Sequence, residues 1–154
     1  MRAKAIEEFR DRYQKVSPGG SWPERYAIRR MGNAPAIGET LLRLVASGEK
    51  TGLFSRPEDL HAAGCTPQVG DYVVFTDHDD RPRCLVQMEE CRLLKFCDVG
   101  PDLAACESPA ARDLEVWRGI HRRYWTAALA KEGKAFDENM PVLFQRFRLV
   151  YAED

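Results

Sequence analysis

Residues 69–96 read VGDYVVFTDHDDRPRCLVQMEECRLLKF, and this stretch decides the fold. Tyr72 to Thr76 is a run of β-branched and aromatic residues. Residues 78–82, HDDRP, carry turn chemistry, and an apolar-rich run follows from Arg83 to Phe96. Two runs of strand formers around an Asp-rich turn predict a hairpin. The chain closes on PVLFQRFRLVY, residues 141–151, a further strand in which Phe147, Leu149 and Tyr151 are expected on one face and Arg146 and Arg148 on the other. A hairpin with a C-terminal partner fits an antiparallel sheet that curls into a small barrel.

Helical patterns surround these strands. Ile6, Phe9, Tyr13 and Val16 recur at spacings of three and four, the period of one helix face. SPGGSWP at 17–23 ends that helix, and YAIRRMG at 26–32 is a short strand. NAPAIGETLLRLVASG at 33–48 predicts a second helix with a buried stripe of Ile37, Leu41, Leu44 and Val45, with Gly48 as its left-handed C-cap. Residues 56–67, RPEDLHAAGCTP, read as irregular. A short helix ending near Glu107 is expected within 101–113. DLEVWRGIHRRYWTAALAKEG at 113–133 is the strongest helix, N-capped by Asp113, ended by Gly133, with Leu114, Trp117, His121, Tyr124, Trp125 and Ala128 on one face. Helices interspersed with a mainly antiparallel set of strands make the class α+β.

A chain of 154 residues is the size of one domain. Within it, residues 1–25 are expected as a helix and loop packed on the barrel formed by 26–154. The net charge of -1 argues against a surface built for nonspecific phosphate binding, and leaves local basic clusters open. Five cysteines without a CxxC pair read as reduced thiols of a cytoplasmic protein. The first sixteen residues hold no apolar core of signal-peptide type and no apolar run reaches membrane-spanning length, so neither export nor membrane insertion is expected.

The three histidines, His61, His78 and His121, have no metal-ligand spacing with the cysteines, and Asp77, His78, Asp79 and Asp80 lack the later glycine and glutamate of a calcium loop. No metal and no cofactor is expected. His121 has two readings: a core histidine, or, within HRRYW, part of an aromatic and guanidinium surface for an RNA base. Lys50, in SGEKTGLFS at 47–55, also has two. It is a cation at a helix C-terminus, or a lysine at a pocket mouth that binds an anion or acts as a base. Glu107, in LAACESPA, is a loop carboxylate or the partner of Lys50.

Taken in order, the segments LVASGEKT, PQVGDYVVF, RCLVQMEECRLLKF, DVGPDLAACE, LEVWRGIHRRYW and FQRFRLVY resemble the ASCH domain family over about residues 26–152. The resemblance implies a PUA-like barrel of five or six strands with flanking helices, to which the N-terminal helix is an addition. It also implies a cleft that holds RNA or a modified nucleoside. One branch of the family comprises amidohydrolases that remove an acyl group from the exocyclic amine of cytidine, and another is linked to RNA cleavage. Lys50 matches the catalytic lysine of the amidohydrolase branch and Glu107 its glutamate. The family's threonine is Leu53 here, which leaves Thr51 and Ser55 as the nearby hydroxyls. The ligand-binding candidates are Arg30, Lys50, Thr51, Glu107 and Arg122. Lys50→Arg is expected to leave the fold intact.

Overall fold

The computed structural model describes residues 2–153. Helix α1 (Arg2–Val16) is followed by β1 (Ala27–Arg30), α2 (Pro35–Ala46), β2 (Gly52–Ser55) and α3 (Pro57–Ala62). The hairpin of β3 (Tyr72–Thr76) and β4 (Pro82–Lys95) comes next. After it come the short α4 (Pro101–Ala104), the long α5 (Leu114–Lys131) and β5 (Pro141–Ala152). The five strands form one sheet in the order β1-β3-β4-β5-β2.

The sheet is mixed where sequence predicts it antiparallel. β1 pairs parallel to β3, with Ala27 opposite Val73, because the chain leaves β1 through α2, lays β2 on the far edge and returns through α3. The other three pairings are antiparallel. Although β1 and β2 are opposite edges, Arg29 Nη2 lies 3.3 Å from Ser55 Oγ. The sheet therefore curls until its edges nearly meet, as a half-barrel.

Three apolar clusters cover the sheet. On the α2 side, Leu42 and Val45 pack with Leu53, Val73, Phe75, Val86, Met88 and Phe147. On the α5 side, Trp117 and Trp125 pack with Phe96, Val142 and Phe144. Ile6 and Phe9 of α1 meet Val74 and Leu85, with Trp22, Tyr26 and Tyr151 around them. Alternation in β3 explains the division: Val73 pairs with Val86 on one face and Val74 with Leu85 on the other.

The structure corrects several expected positions. In β5, Leu149 pairs with Val86 and Tyr151 with Leu85, so one extra residue sits between them. That bulge reverses the alternation, which sends Tyr151 to α1 while Phe147 stays in the α2 cluster. Residues 57–62, expected to be irregular, form α3, whose apolar anchor is the buried Leu60. The buried stripe of α2 is Gly38, Leu42 and Val45, and Ile37 is exposed. Val16 and Tyr124, placed on buried faces by period alone, are exposed too. Among the described residues no helix is long and apolar enough to cross a membrane.

Candidate functional site

The backbone of residues 44–50 closes α2. Gly48 takes φ +81°, a conformation that only glycine adopts without steric cost, and Lys50 N donates to Leu44 O at 3.0 Å. With its amide committed to the cap, the Lys50 side chain leaves the helix end and donates from Nζ to Glu107 Oε2 at 2.6 Å. The two side chains are 4% and 8% exposed. Removing one member of a pair this buried costs about 3–5 kcal/mol, since the other charge is left without a partner.

Two devices hold Glu107 against Lys50. Cys106 O accepts from both Thr51 N (2.9 Å) and Gly52 N (3.1 Å), joining the loop after α4 to the start of β2. This close approach requires Gly52, because an added Cβ would lie 2.9 Å from Cys106 Cβ and 3.0 Å from Gln145 O. Arg112 then spans both loops, donating from Nε to Glu107 O at 3.1 Å and also bonding Glu49 O.

His121 enters from α5, whose first turn is capped by the Asp113 carboxylate accepting from Glu115 N and Val116 N. Its ring stacks on Trp117, with centroids 4.3 Å apart and planes 23° apart. A carbonyl can only accept, so the 2.9 Å contact to Trp117 O makes Nδ1 the protonated nitrogen. Burial lowers the His121 pKa, with Glu107 opposing, and the ring is neutral with a lone pair on Nε2. That lone pair lies 3.7 Å from Glu107 Oε1. Two hydrogen-bond acceptors thus face each other without a donor between them.

Lys50 and Thr51 border a cleft of about 310 Å³, with Glu89, Arg146, Phe147 and Arg148 along its other wall. Glu107 is not among the residues that line it and touches it through its bond to Lys50. Arg146 lies 3.6 Å from Glu89 and 3.4 Å from Glu90, and Arg148 donates to Gln87 Oε1 at 2.7 Å. Both residues line the cleft, and each guanidinium has more N–H groups than these partners use. Among the described residues no group of three or more His, Cys, Asp and Glu side chains could hold a metal ion.

The remaining sequence candidates are dispersed. Leu53 is buried in the α2-side core, so no hydroxyl stands at that position. Ser55 Oγ is bound by Arg29 and Gln145. Arg30 is paired with Asp80 at the hairpin turn. Arg122 is paired with Glu138 and lies over Phe96 and Phe136. Arg112, Arg146 and Arg148 were absent from the sequence candidates, and His121 entered only as one of two readings of HRRYW. The HRRYW reading and the alternation of β5 carried the signal for His121 and the two β5 arginines, and nothing in the sequence pattern carried one for Arg112.

Comparison with known proteins places this geometry. A solved ASCH domain from Lactobacillus crispatus superposes with a TM-score of 0.79 at 24% identity, covering 96% of this chain and 95% of that one. A protein from Enterococcus faecalis superposes with a TM-score of 0.77 at 21% identity, over 96% of this chain and 89% of the other. No curated protein matches the sequence. The family model of the ASCH domain matches residues 28–151, a span that takes in every strand residue except Ala27 and Ala152 and all helices but α1. The chain belongs to the ASCH domain family.

Proposed function

We propose that the cleft bordered by Lys50 binds an RNA strand or a nucleoside, with Lys50 and Glu107 gripping the base. The observation that carries this reading is the pair of unshared acceptors, Glu107 Oε1 and His121 Nε2, 3.7 Å apart beside the Lys50 ammonium. An exocyclic amine has two N–H donors, one for each acceptor, and Lys50 retains N–H groups for a ring nitrogen or carbonyl of the same base. Arg146 and Arg148 on the wall supply cations for the backbone phosphates of an RNA strand.

The direct Lys50–Glu107 contact favours a second reading, hydrolysis of an acyl group on the exocyclic amine of cytidine, or RNA cleavage. In the acyl case the shared proton first passes from the Lys50 ammonium to Glu107, neutral Lys50 takes a proton from the attacking water, the acyl C–N bond breaks, and Glu107 gives its proton to the leaving amine, which restores the ion pair. Leu53 supplies no oxygen nucleophile and Ser55 is held elsewhere, so this route takes its oxygen from water or from Thr51 at the cleft border, and binding is the primary reading. Cytidine, a short RNA and a panel of acylated cytidines separate the two: saturable binding with no product by chromatography supports binding, and product formation supports the hydrolase. Neither binding nor turnover would reject both.

A further inference from the structure

At the other end of β2 a second polar group sits inside the curl of the sheet. Arg29 of β1 donates from Nη1 to Gln145 Oε1 at 2.7 Å and from Nη2 to Ser55 Oγ at 3.3 Å. Gln145 is fully buried, and its Nε2 donates to Leu143 O at 3.1 Å and to Ser55 Oγ at 3.2 Å. The Arg29 contact fixes the Gln145 amide, since a flipped amide would set N–H against N–H. Ser55 Oγ therefore accepts twice, and its own O–H has no acceptor among the described residues.

The charge is as incomplete as the hydrogen bonding. Lys50, Arg56 and Arg83, the buried cations, each have a carboxylate within 2.9 Å. Arg29, also drawn largely out of water, has none within 4 Å among the described residues. Burial lowers its pKa, and Cys65 is the titratable group whose charge it would feel. Burial pushes the Cys65 thiol up, so that thiol stays neutral and offers no counter-charge. A guanidinium with spare N–H groups and an unaccepted hydroxyl converge from the two sheet edges.

We infer that Arg29 and Ser55 form an anion-binding site for a phosphate group, the Arg29 fork and the Ser55 O–H donating to its oxygens while Gln145 holds the fork in place. A guanidinium suits phosphate by bidentate geometry and a hydroxyl adds a third donor. Neither Arg29 nor Ser55 is among the residues lining the proposed Lys50 cleft, so this site is distinct from it.

The test is a melting-temperature series and a calorimetric titration with inorganic phosphate, against acetate at matched ionic strength. Wild type, Arg29→Gln, Ser55→Ala and Arg148→Gln are compared. Phosphate should raise the melting temperature of wild type and of Arg148→Gln, and acetate should not. Arg29→Gln should lose the response, whatever its melting temperature in phosphate-free buffer. Ser55→Ala, which keeps the guanidinium, should bind phosphate at least several-fold more weakly. The inference is overturned if Arg29→Gln responds like wild type. It is also overturned if phosphate binding is lost in Arg148→Gln alone, which would place the anion in the other cleft. A phosphate-free melting loss in Arg29→Gln with no phosphate response in wild type would make Arg29 a structural tie between the sheet edges.

Discussion

Two cations mark the two ends of β2, and they are solvated by opposite means. Lys50 is nearly inaccessible to water and has a carboxylate 2.6 Å away. Arg29 is held by an amide oxygen and a hydroxyl only. The Lys50 end also has an aromatic wall, with Trp117 stacked between His121 and Phe96 and set edge-on to Phe54. The Arg29 end has Gln145 and the edges of the sheet. The contrast teaches that burial alone does not identify a site. A buried cation with a carboxylate against it has its charge balanced from within, whereas a half-buried cation without one gains from an anion.

The largest way to break the Lys50 end is to remove its wall. Trp117 has no exposed surface, and Trp117→Ala should lower stability by up to about 5 kcal/mol, measured by chemical denaturation. If this variant were as stable as wild type, the aromatic wall would not be what positions His121. Next is the pair itself. Lys50→Met should cost about 3–5 kcal/mol by leaving Glu107 buried and unpaired, and adding Glu107→Met should restore much of the loss. Failure of the second substitution to rescue the first would mean that the cost is packing and not charge. Arg29→Met, with no carboxylate to abandon, should be far milder, which sharpens the contrast.

The α1 side should respond more weakly. Phe9 is buried against Trp22 and Tyr151, and Arg12 holds Glu153 at 2.8 Å near the end of β5. Phe9→Ala should cost about 3 kcal/mol, without altering ligand binding at Lys50. A binding loss in a folded Phe9→Ala variant would couple α1 to the cleft. The smallest effect is that of pH. His121 has a folded pKa below its ordinary value of 6.5 because burial disfavours the imidazolium. The unfolded chain therefore binds the proton first as pH falls. Its contribution to stability is full above pH 6.5 and declines as pH falls from there toward the lowered folded pKa. Melting curves from pH 8 to pH 5 should show this decline in wild type and a flatter profile in His121→Gln.

How much of this was legible follows residue by residue. The hairpin, the Asp113 cap and the Gly48 turn were readable because each rests on local chemistry. The parallel pairing of β1 was not, since it depends on where α2 and α3 carry the chain. Tyr151 was misplaced because a bulge is set by the partner strand, and no pattern within β5 reports it. Helix α3 was lost to its proline, glycine and short length. Its first turn begins with Pro57, and Arg56 before it ties Asp59 to Glu132 at the C-terminal end of α5. At the site, Lys50 and Glu107 were paired through family resemblance, whereas Arg112 was invisible because it acts on backbone carbonyls from two loops. Lys50→Arg, expected to leave the fold intact, must place a larger cation in a site 4% exposed, and overpacking of that kind costs about 1–3 kcal/mol.

If Glu107 accepts from a base held beside Lys50, Glu107→Gln removes that contact, because an amide keeps the size of the carboxylate and removes its charge. Fluorescence anisotropy of a short labelled single-stranded RNA, with unlabelled cytidine as competitor, should show saturable binding to wild type. Binding to Glu107→Gln, measured at a temperature where both proteins are folded, should be weaker by about tenfold or more, the loss of one charge-assisted hydrogen bond. Equal affinity in the two proteins would contradict the account and leave the Lys50–Glu107 pair as an internal tie between α2 and the loop after α4.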